Sequence, residues 1–249
     1  TGLALLAAMR FFLRAAGLDR ATIRVSCLVL LSFPAMALHL NYFRMDLLFA
    51  ALILASTGAL LLGVKNEGFS GLTIAGGGLA ALATLVKGPL GILFPFATIA
   101  AFDFATRRPG QLRRVDLAVA AVIAVAPFAA WLAMVAHWFG PDALGHIMRH
   151  QVVDRVVGHT DQSYPWWYFP VALPLATLPW MFLAPATAGL RAPRSNGSEP
   201  ASAGEERTVI LCYFGVVLLT LSLIAHKSAY YLPMLLPPTP LPLRWRPTP

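Results

Sequence analysis

The sequence has few charged residues and almost no cysteine. Charged side chains make up 12% of its 249 residues, about half the share that is usual in soluble domains. The hydrophobic share is 58% and the mean hydropathy is +0.69. These values exclude an ordinary soluble domain and indicate an integral membrane protein. The two cysteines, Cys27 and Cys212, both lie in apolar runs, which excludes a scaffold built on several disulfides.

Acidic residues are scarcer than basic ones, 11 against 19, and the net charge is +8. Such a charge can indicate nucleic-acid binding, but polytopic membrane proteins usually carry their arginines in cytoplasmic loops. The sequence therefore predicts membrane lipids as partners and no nucleic acid.

The first residues indicate an internal fragment, and the last ones indicate either the end of a span or a tail foreign to the original reading frame. The first residues, "TGLALLAAMRFF", lie within an apolar run and do not resemble a signal peptide. The last thirteen residues contain six prolines, which a spanning helix could hardly continue through.

The apolar runs predict an all-α, polytopic transmembrane protein. A span needs about 20 apolar residues, or about 17 where tilt permits, and we predict eight to nine spans, several of them short. The predicted spans are residues 2–16, 25–40, 47–64, 71–86, 90–105, 117–137, 169–190, 209–225 and 231–240. Three glycines in "AGGGLA", within the fourth span, predict close helix packing and not a phosphate loop.

The loops predict the orientation. Arginines cluster in alternate loops, notably 107–114 and 191–207, which the positive-inside rule assigns to the cytoplasm. The long loop 138–168 is then extracytoplasmic. The six histidines lie at or near this outer face, as do Asp46, Lys87, Asp154, Arg155 and Lys227.

Three of these outer charges lie at the ends of apolar runs, and each has a structural and a functional interpretation. Asp46 can cap a helix or orient a hydroxyl or amine acceptor. Lys87, in "LVKGPLGILFP", can extend its ammonium to the lipid headgroups or bind an anionic substrate, since a lysine at bilayer depth is costly. Lys227 repeats the pattern at the end of another span.

The stretch "HIMRHQVVDRVVGHTDQSYPWWYFP" carries the remaining candidates. His146, His150 and Asp154 would share one helical face, as metal ligands or as part of a polar surface helix. Arg155 can grip a phosphate or remain a solvated loop charge. Trp166 and Trp167 are typical of an interfacial aromatic belt.

In order and spacing, "RMDLLF", "LVKGPLGILFP", "RHQVVDRVVGHTDQSYPWWYFP" and "SLIAHKSAYYLPMLLPP" resemble integral membrane glycosyltransferases that use polyprenyl-phosphate sugars. These are the GT-C-type aminoarabinose (lipid A) transferases and the protein O-mannosyltransferase relatives. The resemblance implies an inverting glycosyltransferase at the extracytoplasmic face of the bacterial inner membrane. Its partners would be a polyprenyl-phosphate-linked sugar and a lipid or protein acceptor, with no cofactor and no metal.

The resemblance also implies roles for individual residues. Asp46 would be the second acidic residue of the active cavity, and the main catalytic aspartate would lie in a large outer loop upstream of this chain. The C-terminal region of such enzymes is also expected to be missing. The implied substrate-binding residues are Lys87, Arg155, Lys227, His159, Trp166, Trp167 and Tyr230.

Two alternatives remain open on the sequence. A transporter or flippase for an anionic solute would also place charges on one face, although we find no internal repeat of the kind that such proteins often carry. A non-functional gene fragment would also account for the two unusual ends.

Overall fold

A computed structural model of the chain describes residues 1–34, 36–37, 45–65, 70–106, 114–157, 163–178, 180 and 201–235. It confirms the predicted all-α class. The described residues contain no β-strand, and their β-type pairing consists of a single bridge between Ser163 and His226. The α-helices are α1 (Gly2–Ala16), α2 (Arg20–Ser32), α3 (Met45–Lys65), α4 (Gly71–Lys87), α5 (Leu90–Thr106), α6 (Arg114–Met148), α7 (Asp154–Val157), α8 (Tyr168–Ala176), α9 (Ala201–Leu223) and α10 (Leu232–Leu235).

Three segments are long and apolar enough to cross a membrane, namely Met45–Lys65, Val115–Met148 and Gly204–Leu223. The helices α4 and α5 are apolar but shorter. The chain is therefore an integral membrane protein, and the count of eight to nine spans stays a prediction.

Several helices differ from their predicted limits for local reasons. The second helix begins at Arg20 instead of residue 25 because the Asp19 carboxylate accepts hydrogen bonds from the amides of Ala21 at 2.9 Å and Thr22 at 3.0 Å. Helix α6 continues past residue 137 to Met148, through a kink where Gly140 has a φ of 84°. Much of the predicted outer loop 138–168 is thus helical. In the region of the predicted span 169–190, the structure has a helix at Tyr168–Ala176. Most of the second half of that span lies outside the described residues.

The third helix is the centre of the bundle. It packs against α1, α4 and α5, while α4 also packs against α6 and α5 against α9. Small residues bring these helices together. A Cβ atom at Gly76 would lie 2.8 Å from the Leu60 side chain, and one at Gly77 would lie 2.5 Å from the carbonyl oxygen of Ala120. The interpretation of "AGGGLA" as a packing motif is confirmed.

The bundle has two chemically different ends. At one end, which we call the arginine end, Lys65 lies 3.8 Å from Glu205 and Gly17 lies against Glu206. At the other, which we call the site end, the start of α3 meets the end of α4 through Asp46 and Lys87. Because α3 and α4 run antiparallel, two of the outer charges named in the sequence, Asp46 and Lys87, meet at the site end.

The neighbouring glycines of α4 give a matched test of this packing. Gly77→Ala should destabilise the protein by about 1–3 kcal/mol because its methyl group meets the backbone of Ala120. Gly78→Ala should be neutral or stabilising by up to about 1 kcal/mol, because a Cβ at Gly78 meets nothing within 4 Å. Thermal unfolding in detergent measures both. Equal melting temperatures for the two variants would contradict this account.

Candidate active site

The site end is organised by an ion pair between two helix termini. Lys87 is the last residue of α4, which stops there because Gly88 adopts a φ of 86° and Pro89 follows. Its ammonium donates a hydrogen bond to Oδ1 of Asp46, in the first turn of α3. The Lys87 and Asp46 side chains are 18% and 12% exposed. A pair so poorly hydrated is held more strongly than a surface ion pair.

Two aromatic rings also lie near the ammonium. The Lys87 nitrogen lies 4.3 Å from the ring centre of Tyr231 and 5.8 Å from that of Phe49. Both distances are within the range of cation–π attraction. Phe49 itself packs edge-on against Phe94 of α5, with ring centres 6.4 Å apart. Among the described residues, the Asp46 carboxylate and the π faces of two different parts of the chain thus hold the cation.

The chain that follows α9 supplies Tyr231 and connects the site to the predicted outer loop. The amide of Tyr164 donates to the carbonyl of Ala225 at 3.2 Å, and the amide of Ala225 donates to the carbonyl of Val156 at 3.3 Å. Ser163 and His226 form the antiparallel bridge between the same two segments. Two of the stretches that carry the family resemblance, "RHQVVDRVVGHTDQSYPWWYFP" and "SLIAHKSAYYLPMLLPP", are therefore neighbours in space.

A series of aromatic side chains connects Tyr231 to residues 164–169. The ring centre of Phe169 lies 6.4 Å from that of Tyr231 and 5.1 Å from that of Tyr168, which lies 5.0 Å from Tyr164. Trp166 and Trp167 are 69% and 49% exposed, as residues of an interfacial belt would be.

Lys227 has a different environment from Lys87. Its side chain is buried, and its ammonium donates to the carbonyl oxygens of Ser222 at 3.1 Å and Ile224 at 2.6 Å. These carbonyls lie at the end of α9, where a cation offsets the negative end of the helix dipole. Burial lowers the pKa of Lys227 below its ordinary value. In this structure Lys227 closes a helix, and its contact with a substrate stays a prediction.

The predicted histidine face is present. The rings of His146 and His150 lie 4.4 Å apart, and Nδ1 of His150 lies 2.8 Å from Oδ2 of Asp154. A π-helical turn, Arg149–Val153, joins α6 to α7 between them. No group of three or more His, Cys, Asp or Glu side chains among the described residues is placed to hold a metal ion.

Three other predicted site residues add little geometry. Arg155 lies in α7, but its side chain is not described, and His159 lies outside the described residues. Tyr230 is 37% exposed at the surface, next to Tyr231, which faces Lys87. Sequence reasoning missed Tyr231 and Phe49. The signal for Tyr231 was its place directly before the apolar "LPML", which predicts a buried ring.

The fold is the one seen in two solved structures of an integral membrane protein. Over 96% of its length the chain matches the crystal structure of ArnT from Cupriavidus metallidurans bound to undecaprenyl phosphate, with a TM-score of 0.73 and 20% identity, and covers 43% of that chain. The apo structure of the same protein matches with a TM-score of 0.68 and 18% identity, again over 96% of this chain and 43% of that one. The predicted GT-C-like fold is confirmed.

Curated relatives give the particular proteins that the chain is similar to. Two are undecaprenyl phosphate-alpha-4-amino-4-deoxy-L-arabinose arabinosyl transferases, 1 and 2, from two strains of Pseudomonas fluorescens. The first is 28% identical over 171 residues, 65% of this chain and 29% of the relative. The second is 26% identical over 217 residues, 85% of this chain and 36% of the relative.

The chain thus spans about a third of the length of these relatives. No family model matches the sequence. The resemblance to polyprenyl-phosphate-sugar transferases that the motifs predicted is confirmed by these relatives.

The pairing of Lys87 with Asp46 can be measured by a double-mutant cycle. We expect Asp46→Asn and Lys87→Gln each to lower the free energy of unfolding in detergent. The double variant should lose less than the sum, with a coupling energy of about 1–3 kcal/mol, because each single change leaves a poorly hydrated charge without its counter-charge.

The same cycle on Lys65 and Glu205 is the matched control. That pair lies 3.8 Å apart at the arginine end, with side chains 38% and 26% exposed, so its coupling should be about 0–1 kcal/mol. Additive effects of Asp46→Asn and Lys87→Gln would contradict the pairing.

Proposed function

We propose that the chain is part of a membrane glycosyltransferase that moves a sugar from a polyprenyl-phosphate donor to a lipid acceptor of the lipid A type. The observation that carries the proposal is the Lys87–Asp46 pair at the site end, enclosed by Tyr231 and Phe49. The fold match and the two arabinosyl transferase relatives support the same conclusion.

The chemistry assigns Lys87 to the leaving group. When an acceptor atom attacks the anomeric carbon, the bond from that carbon to the phosphate oxygen breaks and the polyprenyl phosphate leaves with the electron pair. A fixed cation in a poorly hydrated place stabilises this negative charge strongly. An ammonium carries three N–H donors, so Lys87 can keep its bond to Asp46 while another N–H turns to a phosphate oxygen.

Asp46 then has two tasks. It holds the ammonium of Lys87 at the start of α3, and its carboxylate oxygens can accept a hydrogen bond from the incoming acceptor. The proton that the acceptor loses would pass to a general base, for which we propose the main catalytic aspartate of such enzymes. Arg155 in "QVVDRVVGH" would contribute a second positive charge to the donor phosphate.

The same proposal assigns Trp166, Trp167 and Tyr230 to the rim of the site. All three are exposed, and the two tryptophans precede α8 at the end of the bundle that holds Lys87. Exposed rings at a membrane interface can contact the isoprenoid chain of the donor and the surrounding lipid together. Lys227 would attract the donor phosphate through the positive charge that it adds beside α9. His159 belongs to the same stretch of sequence as Trp166 and Trp167.

We place the site end at the extracytoplasmic face of the bacterial inner membrane. Two of the arginine-rich stretches reach described helices at their ends, since Arg114 begins α6 and Arg207 lies in the first turns of α9. There Glu205 lies 3.8 Å from Lys65, at the arginine end of the bundle. The positive-inside rule makes that end cytoplasmic.

Two glycines with open surroundings allow this orientation to be tested. A Cβ at Gly71, at the start of α4, or at Gly145, near the end of α6, meets nothing within 4 Å. With Cys27 and Cys212 replaced by alanine, we expect an impermeant thiol reagent to label Gly145→Cys in intact cells and Gly71→Cys only after permeabilisation. The opposite labelling pattern would reverse the orientation and contradict an extracytoplasmic site.

Activity variants test the role of Lys87. In the protein expressed from its complete reading frame, Lys87→Gln should lower transfer of radiolabelled aminoarabinose from undecaprenyl phosphate by at least about tenfold, the effect of losing a charged hydrogen bond. Lys87→Arg should restore part of the rate, because the planar guanidinium needs different room.

Lys65→Gln is the control for charge, since Lys65 lies at the arginine end. This variant should transfer the sugar at the wild-type rate. All variants are compared at equal amounts of folded protein. Wild-type rates in both Lys87 variants would remove Lys87 from the site and leave it as a residue that reaches the headgroup layer.

A further inference from the structure

A buried tyrosine hydroxyl lies inside the bundle, away from the charges of the site. Tyr213 is on α9, ten residues before the end of that helix at Leu223, and its side chain is fully buried. Its hydroxyl donates a hydrogen bond to the carbonyl oxygen of Met234 at 3.2 Å. Met234 belongs to α10, the short helix that directly follows Tyr231. The hydrogen bond therefore joins a long apolar helix to the segment that carries a ring of the site.

The sequence shows why the Met234 carbonyl needs this partner. A helical carbonyl normally accepts from the amide four residues later, or three in a tighter turn. For Met234 those positions are Pro238 and Pro237, and proline has no amide hydrogen. Met234 is also fully buried, where a carbonyl without a donor is costly. The Tyr213 hydroxyl supplies a donor that the following chain cannot supply at either position.

Helix α10 fixes the position of Tyr231. All four of its residues are buried, and it packs against α3, α8 and α9. Tyr231 directly precedes it, with its amide bonded to the Ser228 carbonyl at 3.0 Å. From there the ring lies 4.3 Å from the Lys87 nitrogen. A displacement of α10 would therefore move the aromatic ring that covers the ammonium of Lys87.

We propose that Tyr213 is a positioning residue. Its hydroxyl holds α10 through the Met234 carbonyl and so keeps the Tyr231 ring over Lys87. The role in transfer rests on the proposed function, whereas the effect on Tyr231 and Lys87 does not. The ring of Tyr213 packs against Phe12 at 5.3 Å between centres, and phenylalanine preserves that contact. Tyr213→Phe therefore removes the hydrogen bond and little else.

The chain offers a matched control. Thr57 of α3 is also fully buried, and its hydroxyl donates to the carbonyl of Ile53 in its own helix at 2.7 Å. Thr57→Val removes a buried hydroxyl of the same bundle whose hydrogen bond stays within α3. A general effect of losing a hydroxyl should appear in both variants, and a positioning effect should appear in Tyr213→Phe alone.

Two measurements on the purified protein do not depend on activity. We expect amide hydrogen exchange of residues 229–235, read by mass spectrometry, to be about tenfold faster in Tyr213→Phe, with α3 and α4 unchanged. We also expect acetylation of Lys87 by acetic anhydride to rise about threefold or more relative to Lys65 of the same molecule. Lys65 lies at the arginine end and serves as the internal reference.

Each outcome decides the proposal. Unchanged exchange at 229–235, or an unchanged ratio of Lys87 to Lys65 acetylation, would overturn it. Exchange that rises equally in every helix would also overturn it, since Tyr213 would then support the whole fold. If both local changes occur but wild-type protein transfers no sugar from undecaprenyl phosphate aminoarabinose, the positioning role holds and the proposed function fails. If the wild type does transfer sugar, Tyr213→Phe should lower the rate several-fold while Thr57→Val keeps it.

Discussion

The site depends on the bond between the ammonium of Lys87 and the carboxylate of Asp46. Either charge alone would be costly at a poorly hydrated helix end, which favours a contact between the end of α4 and the start of α3. The aromatic rings of Phe49 and Tyr231 lie over the Lys87 ammonium. The short turn at Gly88 and Pro89 ends α4 at its lysine and begins α5 beside it, which brings Phe94 against Phe49. One ion pair thus specifies how four parts of the chain meet.

The body of the bundle is built on a different principle. Between the arginine end and the site end, α3, α4 and α6 approach through glycines, and the Ser56 hydroxyl donates to the carbonyl of Gly76 at 2.8 Å across the contact. In lipid there is little hydrophobic gain from bringing helices together, so close contact and buried hydrogen bonds provide the association. These packed helices hold the two helix ends that carry the charges, and residues 164–169 are connected to them through the contact of Phe169 with Tyr231.

The sequence predicted α4 and α5 almost to the residue, because "VKGPL" contains both a helix stop and a helix start. It also predicted that Asp46, Lys87 and Lys227 share one end. It could not predict how the charges pair, because that depends on which helices are neighbours. Lys87 and Lys227 occupy similar sequence patterns, yet one binds a carboxylate and the other binds the carbonyls that end α9. Which of Tyr230 and Tyr231 faces Lys87 likewise depends on the turn that begins at Ser228. The periodicity of apolar residues does not predict that turn.

The order of the site residues along the chain has a consequence for biosynthesis. Asp46 and Lys87 are made and enter the membrane long before residues 224–235 leave the ribosome, so the young site lacks the Tyr231 ring and the α9–α10 contact. During that interval the lysine and the carboxylate neutralise each other, which lowers the cost of keeping both helix ends in lipid. We therefore expect the late segment to dock on an ion pair that has already formed. A protein stalled before residue 224 should therefore already hold α3 and α4 together, with the ammonium still open on the side that Tyr231 later covers.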